Sequence, residues 1–228
     1  MTKNAWDTAL PTANGQLLIG SGSGNPTWTT LTAGTNTTIT NGAGSVTVNF
    51  TAPSGGGDIV LIASATASSS STIEFTDLSS SYYAYWLDME GVAPDTDTIG
   101  LYLRTSTDNG STWDSTSGDY RTTATRYNTS ALTTITDSSS TFLILSFASS
   151  LGTGTQENLS GRLFIFRPSD ADYCKFIFNA NYTDDNSDET GNYTVVARQS
   201  AADVDAIQLY MASGTIATGE FRLYGFST

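Results

Sequence analysis

The side chains able to do acid–base or metal chemistry in this 228-residue chain are almost all carboxylates: 22 Asp and Glu stand against 9 Lys and Arg, giving a net charge of −13, and there is no histidine. Without imidazole, the usual general base, His-dependent triads and imidazole metal ligands are ruled out. Carboxylate chemistry remains. Two Asp or Glu side chains at a suitable separation suffice to hydrolyse a glycosidic bond, and this composition offers many pairs. The densest acidic run is TDDNSDETGN at 183–192, which concentrates Asp184, Asp185, Asn186, Asp188 and Glu189. Its D-x-N-x-D spacing fits the start of a calcium loop, but the glycine at the sixth position and the glutamate at the twelfth are missing. A solvated hairpin tip is the expected reading, and PDTDTIG at 94–100 is a weaker case of the same kind. No catalytic residue, cofactor or metal ligand is assigned.

The sharpest local motif is STDNGSTW at 106–113. It resembles the Asp-box pattern S-x-D-x-G-x-T-W of sialidases and many other β-proteins, with Ser106, Asp108, Gly110, Thr112 and Trp113 at the fixed positions. In physical terms it predicts a hairpin turn: Asp108 accepts backbone N–H bonds, Gly110 supplies a positive φ, and Trp113 packs underneath. A sialidase would need several boxes on propeller blades and an arginine cluster. One box in a different strand rhythm predicts a structural turn.

Strand alternation points to a possible binding surface. In YYAYWLDMEG one face carries Tyr83, Tyr85, Leu87 and Met89, and the other Tyr82, Trp86, Asp88 and Glu90. In IGLYLRTS, Ile99, Leu101 and Leu103 are expected inside, with Tyr102 and Arg104 outside. Sugars are held by aromatic platforms flanked by planar polar groups, so Trp86, Tyr102, Arg104, Tyr120 and Tyr127 are the candidate glycan or receptor contacts. The competing expectation is that these rings pack across strands or at a subunit interface, where Tyr and Trp are enriched. The single cysteine, Cys174, excludes an intrachain disulfide and shares a face with Phe176 and Phe178, which predicts a buried, inert thiol.

These residues need strands to position them. The polar bulk is Ser, Thr, Asn and Gly, only 14% of residues are charged, and no Ala/Leu/Glu/Lys stretch predicts a helix. From Asp58 onward, about eleven apolar or alternating runs separated by turn-rich stretches predict an all-β, antiparallel β-sandwich or jelly roll over 58–228. The runs are IVLIASA, STIEFTDL, YYAYWLDMEG, TIGLYLRTS, YRTTATRY, TFLILSFAS, GRLFIFRP, YCKFIFNANY, NYTVVARQS, DAIQLYMAS and GEFRLYGF. Three of them (IVLIA, FLILSF, LFIF) are apolar on both faces, which places them in the centre of the sandwich or against another subunit. Residues 1–52 form an extended Gly-punctuated β segment, and the Gly-rich stretch 53–57 is a hinge. Between residues 14 and 50 the apolar positions are few, and a solitary hairpin is marginally stable in water. Other copies of the chain are the expected source of the missing surface.

NGQLLIGSGSGNP, TWTTLTAGTNTTIT and NGAGSVTVNF at 14–50 resemble a segment recurring in tail-fibre and appendage proteins of tailed bacteriophages. The closing MASGTIATGEFRLYGFS resembles the end of β-sandwich tips in the same group. That resemblance implies a non-enzymatic virion protein, a homotrimer attached to other virion proteins through 1–52, with a distal tip that adheres to host surface glycan or protein. A head fibre or capsid decoration protein is the alternative, and a glycan depolymerase a third; tailspike depolymerases are usually long β-helices, whose coil repeat is absent here. Nucleic acid is excluded as a partner on charge, since phosphate binding needs cations. No run is long and apolar enough for a membrane span and the N-terminus lacks a secretory h-region, so synthesis in the host cytoplasm is expected. The Asn-X-Ser/Thr triplets starting at Asn36, Asn49, Asn109, Asn128, Asn158, Asn181 and Asn192 then follow from composition alone. Tip binding is expected to rest on local stacking and hydrogen bonds, and to vary little with salt.

Overall fold

The computed structural model describes residues 10–21, 24–51, 58–147 and 151–227. The chain divides into two units, Met1–Ser54 and Gly55–Thr228, and the described residues of both contain strands, turns and loops but no helix. The hinge expected at 53–57 lies outside the described residues.

In the first unit, β1 (Gln16–Ser21) pairs with β2 (Gly24–Thr30) and β3 (Thr37–Gly42) with β4 (Ser45–Phe50), each as an antiparallel ribbon. Thr, Ile and Val dominate β3 and β4, which suits a pleated surface. None of residues 10–20 and 26–51 is buried. Leu17, Leu18, Ile19, Leu31 and Val48 are exposed, and Phe50 is 82% exposed.

The second unit runs β5 (Ile59–Ser70), β6 (Ile73–Phe75), β7 (Tyr82–Pro94), β8 (Leu101–Ser106), β9 (Tyr120–Asn128), β10 (Leu132–Ser140), β11 (Leu143–Ile144), β12 (Leu159–Phe166), β13 (Tyr173–Thr183), β14 (Glu189–Ala201), β15 (Ala206–Met211) and β16 (Ile216–Ser227). They form an eight-stranded antiparallel sheet in the order β10-β9-β14-β13-β12-β7-β16-β5 and a four-stranded one in the order β11-β8-β15-β6. Alternate residues of both sheets meet in one buried cluster. Leu87, Met89, Leu163, Phe176, Phe178, Phe221 and Leu223 come from the larger sheet, and Phe75, Leu101, Leu103, Ile207 and Leu209 from the smaller. Burying a side chain of this size is worth about 1.5–3 kcal/mol, so the period-2 pattern fixes which face of each strand turns inward.

Two differences from the sequence expectation have physical causes. Strand β10, LTTITDSSS, reads as a polar loop because it lies at the sheet edge and its residues are mostly exposed, so it needs no apolar pattern. Among the described residues of the run TFLILSFAS, 141–147, strand is confined to Leu143–Ile144. The residues after it are held by other bonds: the Leu145 and Ser146 amides donate to the Leu101 carbonyl, and Asn192 Nδ2 donates to the Leu145 carbonyl at 2.7 Å. The doubly apolar runs also separate. LFIF lies in the interior strand β12, but IVLIA opens the edge strand β5, where Ile59, Val60 and Leu61 are 49%, 39% and 52% exposed.

Candidate functional site

The Asp-box is a closed hydrogen-bonded turn. The Asp108 carboxylate accepts from Thr112 N (2.8 Å), Thr112 Oγ1 (2.7 Å) and Ser106 Oγ (2.8 Å), while Ser106 Oγ accepts from the Asp108 and Gly110 amides. These donors, the Thr112 hydroxyl first, hold the Asp108 carboxyl below the usual carboxylate range. Gly110 has φ +83°, and a Cβ there would lie 3.3 Å from the Trp113 ring, which therefore packs against the turn as expected. The expectation of a hairpin is corrected. Strand β8 belongs to the four-stranded sheet and β9 to the eight-stranded sheet, so the box begins a crossover between sheets. Just beyond it, Asp114 receives a two-pronged contact from Arg198 (Nε–Oδ2 2.6 Å, Nη2–Oδ1 3.2 Å) and a 2.6 Å bond from Thr105 Oγ1. Ser106, Asp108 and Thr112 are spent on the turn, while Asn109 ties it to two other loops: its side chain exchanges bonds with Asp77, and its amide donates to Asp205 at 2.8 Å.

The five candidate contact residues do not form one surface. Tyr120 is fully buried, and its hydroxyl accepts from the Thr105 amide at 2.9 Å; burial raises its pKa, and it cannot meet a ligand. Tyr102 is 8% exposed and stacks on Phe142 (centroids 4.0 Å, 17°), and the Arg104 guanidinium lies 4.6 Å from the centroid of Tyr210; all of this is on the four-stranded sheet. Trp86 is on the eight-stranded sheet. Tyr127 is 55% exposed on β9, its ring occupying the space a Cβ at Gly191 would need. Register, which pairs strands distant in sequence, separates the set.

What register assembles instead is a row of side chains across the outer face of the eight-stranded sheet. Thr136, Thr123, Val195, Ile177, Phe164, Trp86, Tyr224 and Leu61 are successive cross-strand partners from β10 to β5, and none belongs to the buried core. At about 4.8 Å per strand the row is roughly 34 Å long. A sheet with one face on the core normally presents polar residues on the other. Here Trp86 meets Phe226 (5.0 Å), Tyr224 (5.5 Å) and Phe164 (6.2 Å) edge-on, and Tyr83 tilts against Phe226 at 6.2 Å. The neighbouring row, Thr125, Tyr193, Asn179, Arg162, Asp88 and Arg222, is polar. In it Arg162 pairs with Asp88 and lies 4.2 Å from the Trp86 ring centroid, and Arg222 pairs with Glu90.

The row on the other side runs Arg121, Ala197, Lys175, Phe166, Ala84, Phe226 and Ile59. Short side chains at Val195 and Ala197, between the longer Arg121, Lys175 and Phe166, leave an open groove of about 710 Å³. Of the five candidates, Trp86 and Tyr127 lie on this face, Tyr127 on β9 in alternation with Thr123 and Thr125 and several strands away from Trp86. The doubly apolar run LFIF was the available signal for Phe164; nothing local marks Arg121, Lys175, Tyr224 or Phe226.

The acidic runs are committed to turns. Asp184 is 2% exposed, and its Oδ1 accepts from the Asn186 and Asp188 amides at 3.0 Å, closing the β13–β14 hairpin. Asp188 accepts from Thr129 Oγ1, and Glu189 from Thr183 Oγ1. Asp95 accepts from the Thr215 amide and hydroxyl at 2.8 Å, which lowers its pKa. Among the described residues, no three carboxylates or thiols converge as metal ligands. Cys174 is buried with Phe176 and Phe178, and burial pushes its thiol up to about 12. No protein-family model, curated protein or solved structure matches the chain.

Proposed function

We propose that this chain is a non-enzymatic bacteriophage virion protein, a homotrimeric tail fibre or receptor-binding protein that adheres to the host surface. On this reading the second unit is a β-sandwich of the jelly-roll kind forming an adhesive tip, and residues 1–52 attach the fibre to other virion proteins and trimerise it. The observation that carries the adhesive role is the outward-facing, half-buried row centred on Trp86, Phe164 and Tyr224, continued by exposed Phe166, Tyr83 and Leu61 on the same sheet. Exposed apolar area that is contiguous and bordered by polar residues marks interaction surfaces. The sandwich reading rests on the single core shared by two sheets. Exposed Leu17, Leu18, Ile19 and Phe50 in the first unit favour self-association, and the motifs at 14–50 and 211–227 supply the likeness to phage appendages. A role without chemistry accords with carboxylates such as Asp108, Asp114 and Asp184 engaged in turns and ion pairs.

The test is adhesion of the labelled full chain to host cells, beside a Trp86→Ala/Phe164→Ala variant whose melting is checked in parallel. Trimer mass in light scattering, binding by the wild type and loss in the variant are expected, with no reducing sugar released. A monomer, or undiminished binding by the variant, overturns the respective part. Absence of adhesion together with immunogold label on the capsid makes the protein a head fibre or decoration protein, and sugar release makes it a depolymerase.

A further inference from the structure

Two cations among the described residues have neither a carboxylate nor an aromatic partner, and they lie in one place. Among the described residues, Arg162, Arg167, Arg198 and Arg222 are paired with carboxylates, and Arg104 and Arg126 lie over the rings of Tyr210 and Phe147. Arg121 and Lys175 remain. Both are exposed, and both are register partners of Ala197, so they flank it on the two adjacent strands, about 10 Å apart. Between them lies the groove floored by Val195, Ala197 and Ile177 and walled by Phe166.

We propose that this groove binds the carboxylated sugar units of an acidic, uronate-type polysaccharide; the inference rests on the reading of this face as adhesive and names its ligand class. Its volume of about 710 Å³ falls within the roughly 300–1,000 Å³ typical of small-molecule sites. The C–H face of a pyranose ring matches the apolar floor, and the ring carboxylate answers Arg121 or Lys175 with a charge-assisted hydrogen bond. Thr123 and Thr136 supply neutral hydroxyl partners on the β9–β10 side. A neutral glycan would cover two cations without compensating them, and an inorganic anion would leave the floor unused. One carboxylate, Asp137, borders the groove on the β10 side, opposite Thr122 and so beside Arg121; it accepts from the Ser139 amide at 2.8 Å and disfavours an anion at that edge, directing the ligand carboxylate toward Lys175, two strands further in. The net charge of −13 does not forbid the contact. At physiological ionic strength remote charges are screened over about 8 Å, whereas the groove cations act at contact.

The experiment is calorimetric titration of the full chain with hexagalacturonate at 0.15 M salt, with a neutral galactose hexamer and poly-glutamate as comparators. Wild type is expected to bind hexagalacturonate about tenfold or more tighter than either comparator, and Arg121→Gln and Lys175→Gln each to lose about tenfold. Both side chains are exposed and unpaired, so both variants should keep the wild-type melting temperature. Failure of the wild type to bind, equal binding of poly-glutamate or the neutral hexamer, or undiminished binding by both variants overturns the proposal. Host-cell adhesion that both variants retain overturns it while leaving the adhesive reading intact. If the wild type binds hexagalacturonate but does not adhere to cells, the groove assignment stands and the adhesive reading falls.

Discussion

Replacing Asp114 by Asn tests whether the crossover after the Asp-box is pinned by a buried charge pair. Arg198 has a side chain only 5% exposed, and Asp114 is 22% exposed, so water compensates little for a lost partner. Removing one member of a buried pair costs about 3–5 kcal/mol, because the other charge is left uncompensated. Asn keeps the shape, and its Oδ1 can still accept one hydrogen bond, from Thr105 or Arg198, worth about 1 kcal/mol. The expected loss is therefore about 2–4 kcal/mol. The control is Asp170→Asn, which breaks the Arg167 pair at side-chain exposures of 73% and 37% and should change stability by less than about 1 kcal/mol. Urea denaturation at fixed protein concentration reads both, and a shift in midpoint at constant slope separates stability from a change in the denatured state. If Asp114→Asn lost no more than Asp170→Asn, the buried pair would not hold the crossover and the reasoning would fail.

Asp108→Asn should destabilise the protein at neutral pH but not in acid. The wild-type carboxyl has a lowered folded pKa, so its stabilisation is complete above the unfolded value of about 3.9 and disappears as pH falls through the folded one; melting curves of both proteins from pH 7 to pH 2 should converge at the acid end, and a constant gap would refute the assignment. Cys174, buried and with its thiol pushed up to about 12, should react with an aromatic disulfide reagent only as fast as the second unit unfolds. Prompt modification of the native protein would contradict its place beside Phe176 and Phe178.

Local chemistry was legible in the chain. STDNGSTW specified its own turn because the bonds among Ser106, Asp108, Gly110 and Thr112 that close it lie within seven residues, and TDDNSDETGN specified a hairpin tip for the same reason. The period-2 pattern of β7, β8 and β13 marked Leu87, Leu101, Leu103, Cys174 and Phe176 as inward-facing, since burial of one strand face is a local property. What a turn leads to was not legible: the box opens a crossover between sheets instead of a hairpin, because the next strand finds its partners in β10 and β14.

Alternation and turn residues, which act over a few positions, were enough to specify an all-β chain and the inward faces of β7, β8 and β13. Which outward-facing residues become neighbours depends on how distant strands pair. Tyr120 looked equivalent to Trp86 in type and alternation, yet it is enclosed where β9 meets the crossover, with its hydroxyl spent on Thr105. Trp86 is joined to Phe164 and Tyr224, 78 and 138 residues further along the chain, by backbone pairing of β12, β7 and β16. Arg121 and Lys175 likewise flank Ala197 through the register of β9, β14 and β13. Such register is a property of paired strands, set by how their buried faces fit in one core, and no single strand contains it.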